Sequence, residues 1–115
     1  MAKAFSTVLS TTNVRSVSSV AVTPAATITY TIPNADDLYS AWTAGQDETI
    51  NLSGTHFVQQ VVVFVITNDA TPRTITFGTG FRVTAKITGL ANKISTITFI
   101  SDGTNMIETA RAVGM

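Results

Sequence analysis

The sequence predicts an all-β protein: an antiparallel β-sandwich or jelly-roll-like barrel of about eight strands, with at most one short helix. Three observations point there. Short apolar segments recur about every 8–12 residues and are separated by Gly, Pro, Asn and Asp. The chain carries 21 Thr and 9 Ser, so its polar surface is built from hydroxyls on a residue that favours strands. The run Val61-Val62-Val63-Phe64-Val65-Ile66 is β-branched at all positions but Phe64, which disfavours a helix. It does not alternate, so it predicts a central strand covered on both faces, either by a second layer or by another subunit.

With 115 residues the chain makes one domain with one core. Residues 1–23 mix Ser, Thr and Val without a period and read as an N-terminal arm or edge strands. Residues 24–115 form the β domain. After Pro24, residues 26–32 alternate, with Ile28, Tyr30 and Ile32 on one face and Thr27, Thr29 and Thr31 on the other. Residues 34–44 are the helix candidate. Asn34 can cap it, Asp36 and Asp37 suit its positive end, and Leu38, Tyr39 and Trp42 would share a face. Residues 48–52 and 74–77 read as strands, and Gly78-Thr79-Gly80 as a turn or bulge. Residues 81–87 alternate as a further strand. Residues 94–100 and 106–111 flank Ser101-Asp102-Gly103-Thr104, a hairpin signal because Asp-Gly suits a turn with positive φ. No internal repeat or linker is evident.

Composition excludes several classes of function. Charged residues are 12% of the chain, against roughly 25% in an average soluble domain, so the surface suits a protein held in an assembly. Net charge is zero, which predicts no nucleic-acid partner. No apolar stretch approaches the ~20 residues of a membrane helix, which predicts no membrane partner. The N-terminus lacks the apolar core of a signal peptide. There is no Cys, so no disulfide or thiolate metal site is expected. His56 stands alone with no nucleophile-elbow pattern, and its expected role is structural. The acidic pairs Asp36-Asp37 and Asp47-Glu48 read as solvated turns or caps rather than a Ca²⁺ loop. No cofactor, metal or catalytic residue is expected, and the chain is not expected to be an enzyme.

Charge is segregated along the chain. Asp36, Asp37, Asp47, Glu48 and Asp69 occur with no Lys or Arg between residues 34 and 72. Arg73, Arg82, Lys86 and Lys93 occur with no acid between residues 73 and 101. These groups either pair within one subunit or join neighbouring copies.

The stretch Thr71-Pro72-Arg73-Thr74-Ile75-Thr76-Phe77-Gly78-Thr79-Gly80-Phe81-Arg82 is followed by residues 94–100 and by Ser101-Asp102-Gly103-Thr104-Asn105-Met106-Ile107-Glu108. Together they resemble a β module of tailed-bacteriophage virion proteins, over residues 56–111. The resemblance implies a non-enzymatic particle component, commonly a homotrimer, located in the virion after synthesis in a host cytoplasm. Such modules occur in head decoration (cement) proteins and in tail appendages. A chain without a coiled or repetitive stalk suits decoration, with the major capsid protein shell as partner. A tail-fibre, baseplate or adaptor component is the alternative, and a carbohydrate-binding sandwich using Tyr39 and Trp42 is a second. The expected partner-facing residues are Phe5, Val8 and Leu9 in the arm, with Tyr39, Trp42, Arg82 and Lys86 on the body.

Overall fold

A computed structural model describes residues 16–115 of the chain, and over these it is all-β with no helix. Ten strands form two sheets. Strands β1 (Val17–Ser19), β3 (Asp37–Ala44), β5 (Val61–Asn68), β7 (Phe81–Arg82), β9 (Ile94–Ser101) and β10 (Met106–Ala112) build a six-stranded sheet in the order β1-β3-β5-β9-β10-β7. Strands β2 (Thr27–Thr31), β4 (Glu48–Ser53), β6 (Thr74–Phe77) and β8 (Ile87–Thr88) build a four-stranded sheet in that order.

Up to β6 the chain changes sheet after every strand, so it winds as a coil. Val17 lies beside Asp37, Thr27 beside Thr49, Leu38 beside Val62 and Thr49 beside Thr76. One revolution takes 20 residues at the first of these pairs and 27 at the last. Winding of this kind makes neighbours in a sheet parallel, because each strand is reached from the same side. The β1–β3, β3–β5, β2–β4, β4–β6 and β7–β10 ladders are parallel. Antiparallel pairing, expected throughout from sequence, holds only for β5–β9, β9–β10 and β6–β8.

The segment read as a helix is β3. Leu38, Ser40, Trp42 and Ala44 point into the core and Tyr39, Ala41 and Thr43 point out. Period two prevails over period 3.6 because the one polar side chain it buries is satisfied. The Ser40 hydroxyl donates to the Val20 carbonyl at 2.7 Å and shares a 2.8 Å hydrogen bond with the Tyr30 hydroxyl. The single strand read over residues 81–87 divides between the sheets. Phe81 and Ile87 are both buried, but β7 joins the six-stranded sheet and β8 the four-stranded one. The hairpin at Asp102-Gly103 is present. Its loop is longer than a two-residue turn, with the Asp102 carboxylate accepting from the amides of Thr104 (2.8 Å) and Asn105 (2.7 Å).

Side chains with amide groups hold the corners, Gln60 and Asn68 from buried positions. Gln60 Nε2 donates to the carbonyls of Asn34 (2.9 Å) and Asp36 (2.6 Å), which ties the β4–β5 corner to the β2–β3 corner one revolution earlier. Asn68 Nδ2 donates to the carbonyls of Asp69 and Thr71, and Asn68 Oδ1 accepts from the Arg73 amide at 3.0 Å. Asn51 Oδ1 accepts from the Thr79 amide at 2.9 Å. Close approach explains two glycines. A Cβ on Gly78 would strike the Asn51 side chain, and one on Gly89 would strike the Asn68 side chain.

The core lies between the sheets and centres on Phe64, which is fully buried. Its ring meets Tyr30 at 4.8 Å, Trp42 at 5.2 Å and Phe99 at 5.6 Å, all in edge-on geometry, and stacks with Phe77 at 6.3 Å. Tyr30 and Phe77 belong to the four-stranded sheet, so Phe64 joins the two layers. Phe64→Ala is expected to lower unfolding free energy by about 3–5 kcal/mol, from lost burial plus the cavity left behind. Urea denaturation followed by circular dichroism measures it, and a loss under about 1 kcal/mol would contradict this central role.

Candidate interaction surface

The two sheets turn different faces outward. The four-stranded sheet shows Thr27, Thr29 and Thr31, then Thr49, Asn51 and Ser53, then Thr74, Thr76 and Thr88. In a strand every second side chain shares a face, and the parallel register stacks these residues in rows. This face is entirely hydroxyl and amide.

The outer face of the six-stranded sheet is largely apolar. One row runs Tyr39, Val63, Thr98, Ala110, and the next runs Ala41, Val65, Thr96, Ala112. Val61, Ile100 and Ile107 make a third, and Thr67 and Ile94 lie at the far end. Ile94, Ile107 and Tyr39 are exposed, Tyr39 by 41%. No Lys, Arg or Glu stands on the first two rows; the third ends at Arg82, which pairs with Ile107. At the corner next to Val61, Asp37 uses its carboxylate to accept the Val61 amide at 2.9 Å. Phe57 and Val58, exposed in the preceding loop, extend the apolar character past that corner. Four strands of about 26 Å, spaced about 4.8 Å apart, present roughly 400–500 Å². That lies within the roughly 300–600 Å² of the largest patch on a typical monomer, a size often tied to function. It is about half of one partner's share in a standard interface of roughly 800 Å² per side.

β10 keeps its charges off this face. A register shift between Glu108 and Ala110 leaves Ile107, Ala110 and Ala112 outward. Glu108 and Arg111 lie on the other side, where Arg111 clamps the carboxylate through Nε at 2.6 Å and Nη2 at 2.9 Å. Glu108 also accepts from the Thr84 amide, and Arg111 donates to the Ala85 carbonyl at 2.7 Å, so the pair fastens the strand-free segment between β7 and β8. The guanidinium, helped by Thr84, holds the Glu108 carboxyl at about 2.

The residues singled out from sequence fall in different places. Tyr39 is on the apolar face. Arg82 and Lys86 are exposed: Arg82, on β7, lies beside Ile107 at the edge of the third row, and Lys86 directly precedes β8. Phe5, Val8 and Leu9 lie outside the described residues. Trp42 is a correction: it is only 7% exposed, its ring packs on Phe64, and its Nε1 donates to Glu48 at 2.9 Å. It therefore cannot present a face to a partner or a sugar, and the aromatic pair imagined for carbohydrate stacking does not form. The burial follows from β3 being a strand, which sends Trp42 inward and Tyr39 outward.

Glu48 was expected in a solvated turn and is instead 2% exposed. Its Oε2 has no hydrogen-bond partner among the described residues. Burial raises its carboxyl above the ordinary value, against a smaller opposite effect of the Trp42 hydrogen bond. Of the segregated charges, Asp69 and Arg73 pair within the chain, Arg73 donating through Nε at 2.9 Å and Nη2 at 2.8 Å. That pair follows the intrachain alternative. His56 shares a hydrogen bond between its Nδ1 and Ser101 Oγ, which also accepts the Gly103 amide at 2.9 Å. Ser101 is buried and Asp102 caps its own turn, so the three residues pin the β4–β5 loop to the β9–β10 hairpin. Among the described residues no three His, Cys, Asp or Glu side chains are grouped to hold a metal ion.

No protein-family model, curated protein or solved structure matches the chain. The functional reading therefore rests on the residues and their geometry.

A titration tests the Glu48 environment. A carboxyl whose folded value is raised binds its proton more tightly in the folded protein. Its stabilising effect is complete at pH below the ordinary glutamate value of 4.5. It is lost as pH rises from there through the raised value. Wild-type urea midpoints are expected to fall over that interval, and Glu48→Gln is expected to flatten the fall while keeping an acceptor for Trp42. An unchanged pH dependence in the variant would place the proton elsewhere.

Proposed function

We propose that the chain is a non-enzymatic structural subunit that works by assembly, with the outer face of the six-stranded sheet as its principal contact. The observation that carries this reading is the set of apolar rows through Val63 and Val65, with no Lys, Arg or Glu on them. An apolar patch of that size, left in water, favours association. Its area is below that of a standard interface side, so the loop residues Phe57 and Val58 and further contacts supply the rest. The low overall charge is consistent with a surface spent against neighbours.

In its most specific form, the subunit is a bacteriophage head decoration protein that forms homotrimers and cements the major capsid protein shell. The support for that form is the resemblance carried by residues 71–82 and 94–108. Many copies of a modest contact, each anchored at several points, would add to resistance against internal pressure. The architecture is read as two facing layers, as in a sandwich, joined by a winding coil rather than by jelly-roll connections.

Val65→Asp puts a carboxylate in the middle of the apolar rows without touching the core. The wild type is expected to sediment as an oligomer and the variant as a monomer, with the same far-ultraviolet spectrum. A wild-type monomer, or an oligomer that the substitution leaves intact, rejects this face as the contact. Quantitative mass spectrometry of purified particles tests the specific form. Copies approaching one per shell subunit support decoration. A handful in multiples of three or six place the chain in the tail, and absence from particles removes the virion reading.

A further inference from the structure

We propose that two copies of the chain join through the free edges of β2, pairing antiparallel about a two-fold axis at Thr29, so that two four-stranded sheets become one of eight strands. This stands independently of the apolar sheet face and of the virion reading. β1 and β2 belong to the first described revolution of the coil and are edge strands of their sheets, so the junction lies at the open end of the coil. On the inner side of β2 the Thr49 amide donates to the Ala26 carbonyl and the Ile32 amide donates to the Ser53 carbonyl, both at 2.9 Å. In a parallel ladder the residues facing one neighbour alternate, so 26, 28, 30 and 32 serve β4. The amides and carbonyls of Thr27, Thr29 and Thr31 point the other way, where no strand stands among the described residues. All five residues of β2 line a groove of about 420 Å³, together with Val20, Val22 and Ala25. Charge and proline are the usual devices that block an edge, and Thr27–Thr31 carries neither.

The edge is its own complement. Thr27-Ile28-Thr29-Tyr30-Thr31 carries threonine at both ends and at its centre, so the pattern is the same in either direction. Only residues 27, 29 and 31 have groups to offer, so a register makes hydrogen bonds only where these positions oppose one another. Setting Thr29 opposite Thr29 sets Thr27 opposite Thr31 on both sides of the axis and uses all three residues of each copy. A slip of two residues carries one threonine of each copy past the end of the other strand. In the symmetric register the outward hydroxyls meet as Thr–Thr pairs, and on the core side Ile28 of each copy lies opposite Tyr30 of the other. A strand about 17 Å long on a body two layers, or about 20 Å, deep covers roughly 350 Å² per copy. That is under half of the roughly 800 Å² on each side of a standard interface, so the pair forms in concentrated protein and separates on dilution.

The chain has no native Cys, so a single cysteine reports the axis. Thr29→Cys sets two outward thiols opposite each other, with Cα atoms about 5.5 Å apart and within disulfide reach. In Thr31→Cys the two thiols stand about 13 Å apart along the strands, out of reach. Both variants carry Val65→Asp as well, which keeps the apolar sheet face from bringing copies together. Mild oxidation of the concentrated full-length protein is expected to crosslink the Thr29→Cys protein into dimers at least about tenfold faster than the Thr31→Cys protein. Equal rates, or no dimer from either, would overturn the pairing. Hydrogen exchange supplies a second test that needs no cysteine. The amides of Thr27, Thr29 and Thr31 are expected to exchange at least about threefold more slowly in concentrated than in dilute protein, with Val62 and Phe64 unchanged. Thr29 is exposed, and Thr29→Lys, which sets two ammonium groups opposite each other, is expected to remove that concentration dependence. Slow exchange of the three amides at every concentration would show the edge covered within one chain and reject the pairing between copies. Fast exchange at every concentration would show it uncovered and reject it equally.

Discussion

A chain that leaves one sheet for the other after nearly every strand must turn a corner each time, and the backbone at a corner cannot use a ladder. Burying such groups unpaired costs more than most single contacts return. Gln60 and Asn68 meet this constraint. Each is a buried amide side chain that donates twice to corner carbonyls and accepts once from a corner amide. Gln60 reaches back to the preceding revolution, so it sets the spacing of successive corners as well as satisfying them. With the corners held, strands of one sheet stack in register. The aromatic cluster around Phe64 then joins two layers whose alignment is already set.

The same winding explains the surface. Strands entering a sheet from one direction repeat their in–out alternation at the same height, so like residues stack in rows. In the four-stranded sheet the outward positions are hydroxyl residues in every row. Across β3, β5, β9 and β10 of the six-stranded sheet they are chiefly valine, alanine, threonine and isoleucine with Tyr39, Arg82 stands at the β7 edge, and the register shift in β10 turns Glu108 and Arg111 away from them. Two faces of unlike chemistry thus arise from one core, and the apolar one is the contact proposed for assembly.

Much of this was legible in the chain itself. Alternation at residues 26–32, the β-branched run from Val61 to Ile66 and the Asp102-Gly103 turn identify β2, β5 and the β9–β10 hairpin. Ladder direction was not legible, because a three-residue connection such as Gly45-Gln46-Asp47 looks the same whether it closes a hairpin or carries the chain across to the other sheet. Trp42 misled for a local reason. The order Leu38, Tyr39, Trp42 satisfies a helical spacing, and only the partners of Ser40 reveal that alternate residues are buried. Glu48 gave no sign of burial because its acidic neighbour Asp47 is a surface residue that accepts the Thr74 amide one revolution on. The apolar face could be half-seen: a non-alternating run requires cover on both sides, and the described residues supply cover on one.

β9 runs antiparallel to β5 and β10 folds back on β9, so the direction of travel reverses there. Beyond the reversal only the two-residue β7–β10 ladder is parallel, so the regular stacking of full parallel turns stops there. The body is therefore polar in the sense of a filament with one capped end. Its length can change by whole revolutions within the parallel stretch from β1 to β6, where a duplicated unit of 20–27 residues would meet parallel neighbours, whereas the same duplication after β6 would meet the cap.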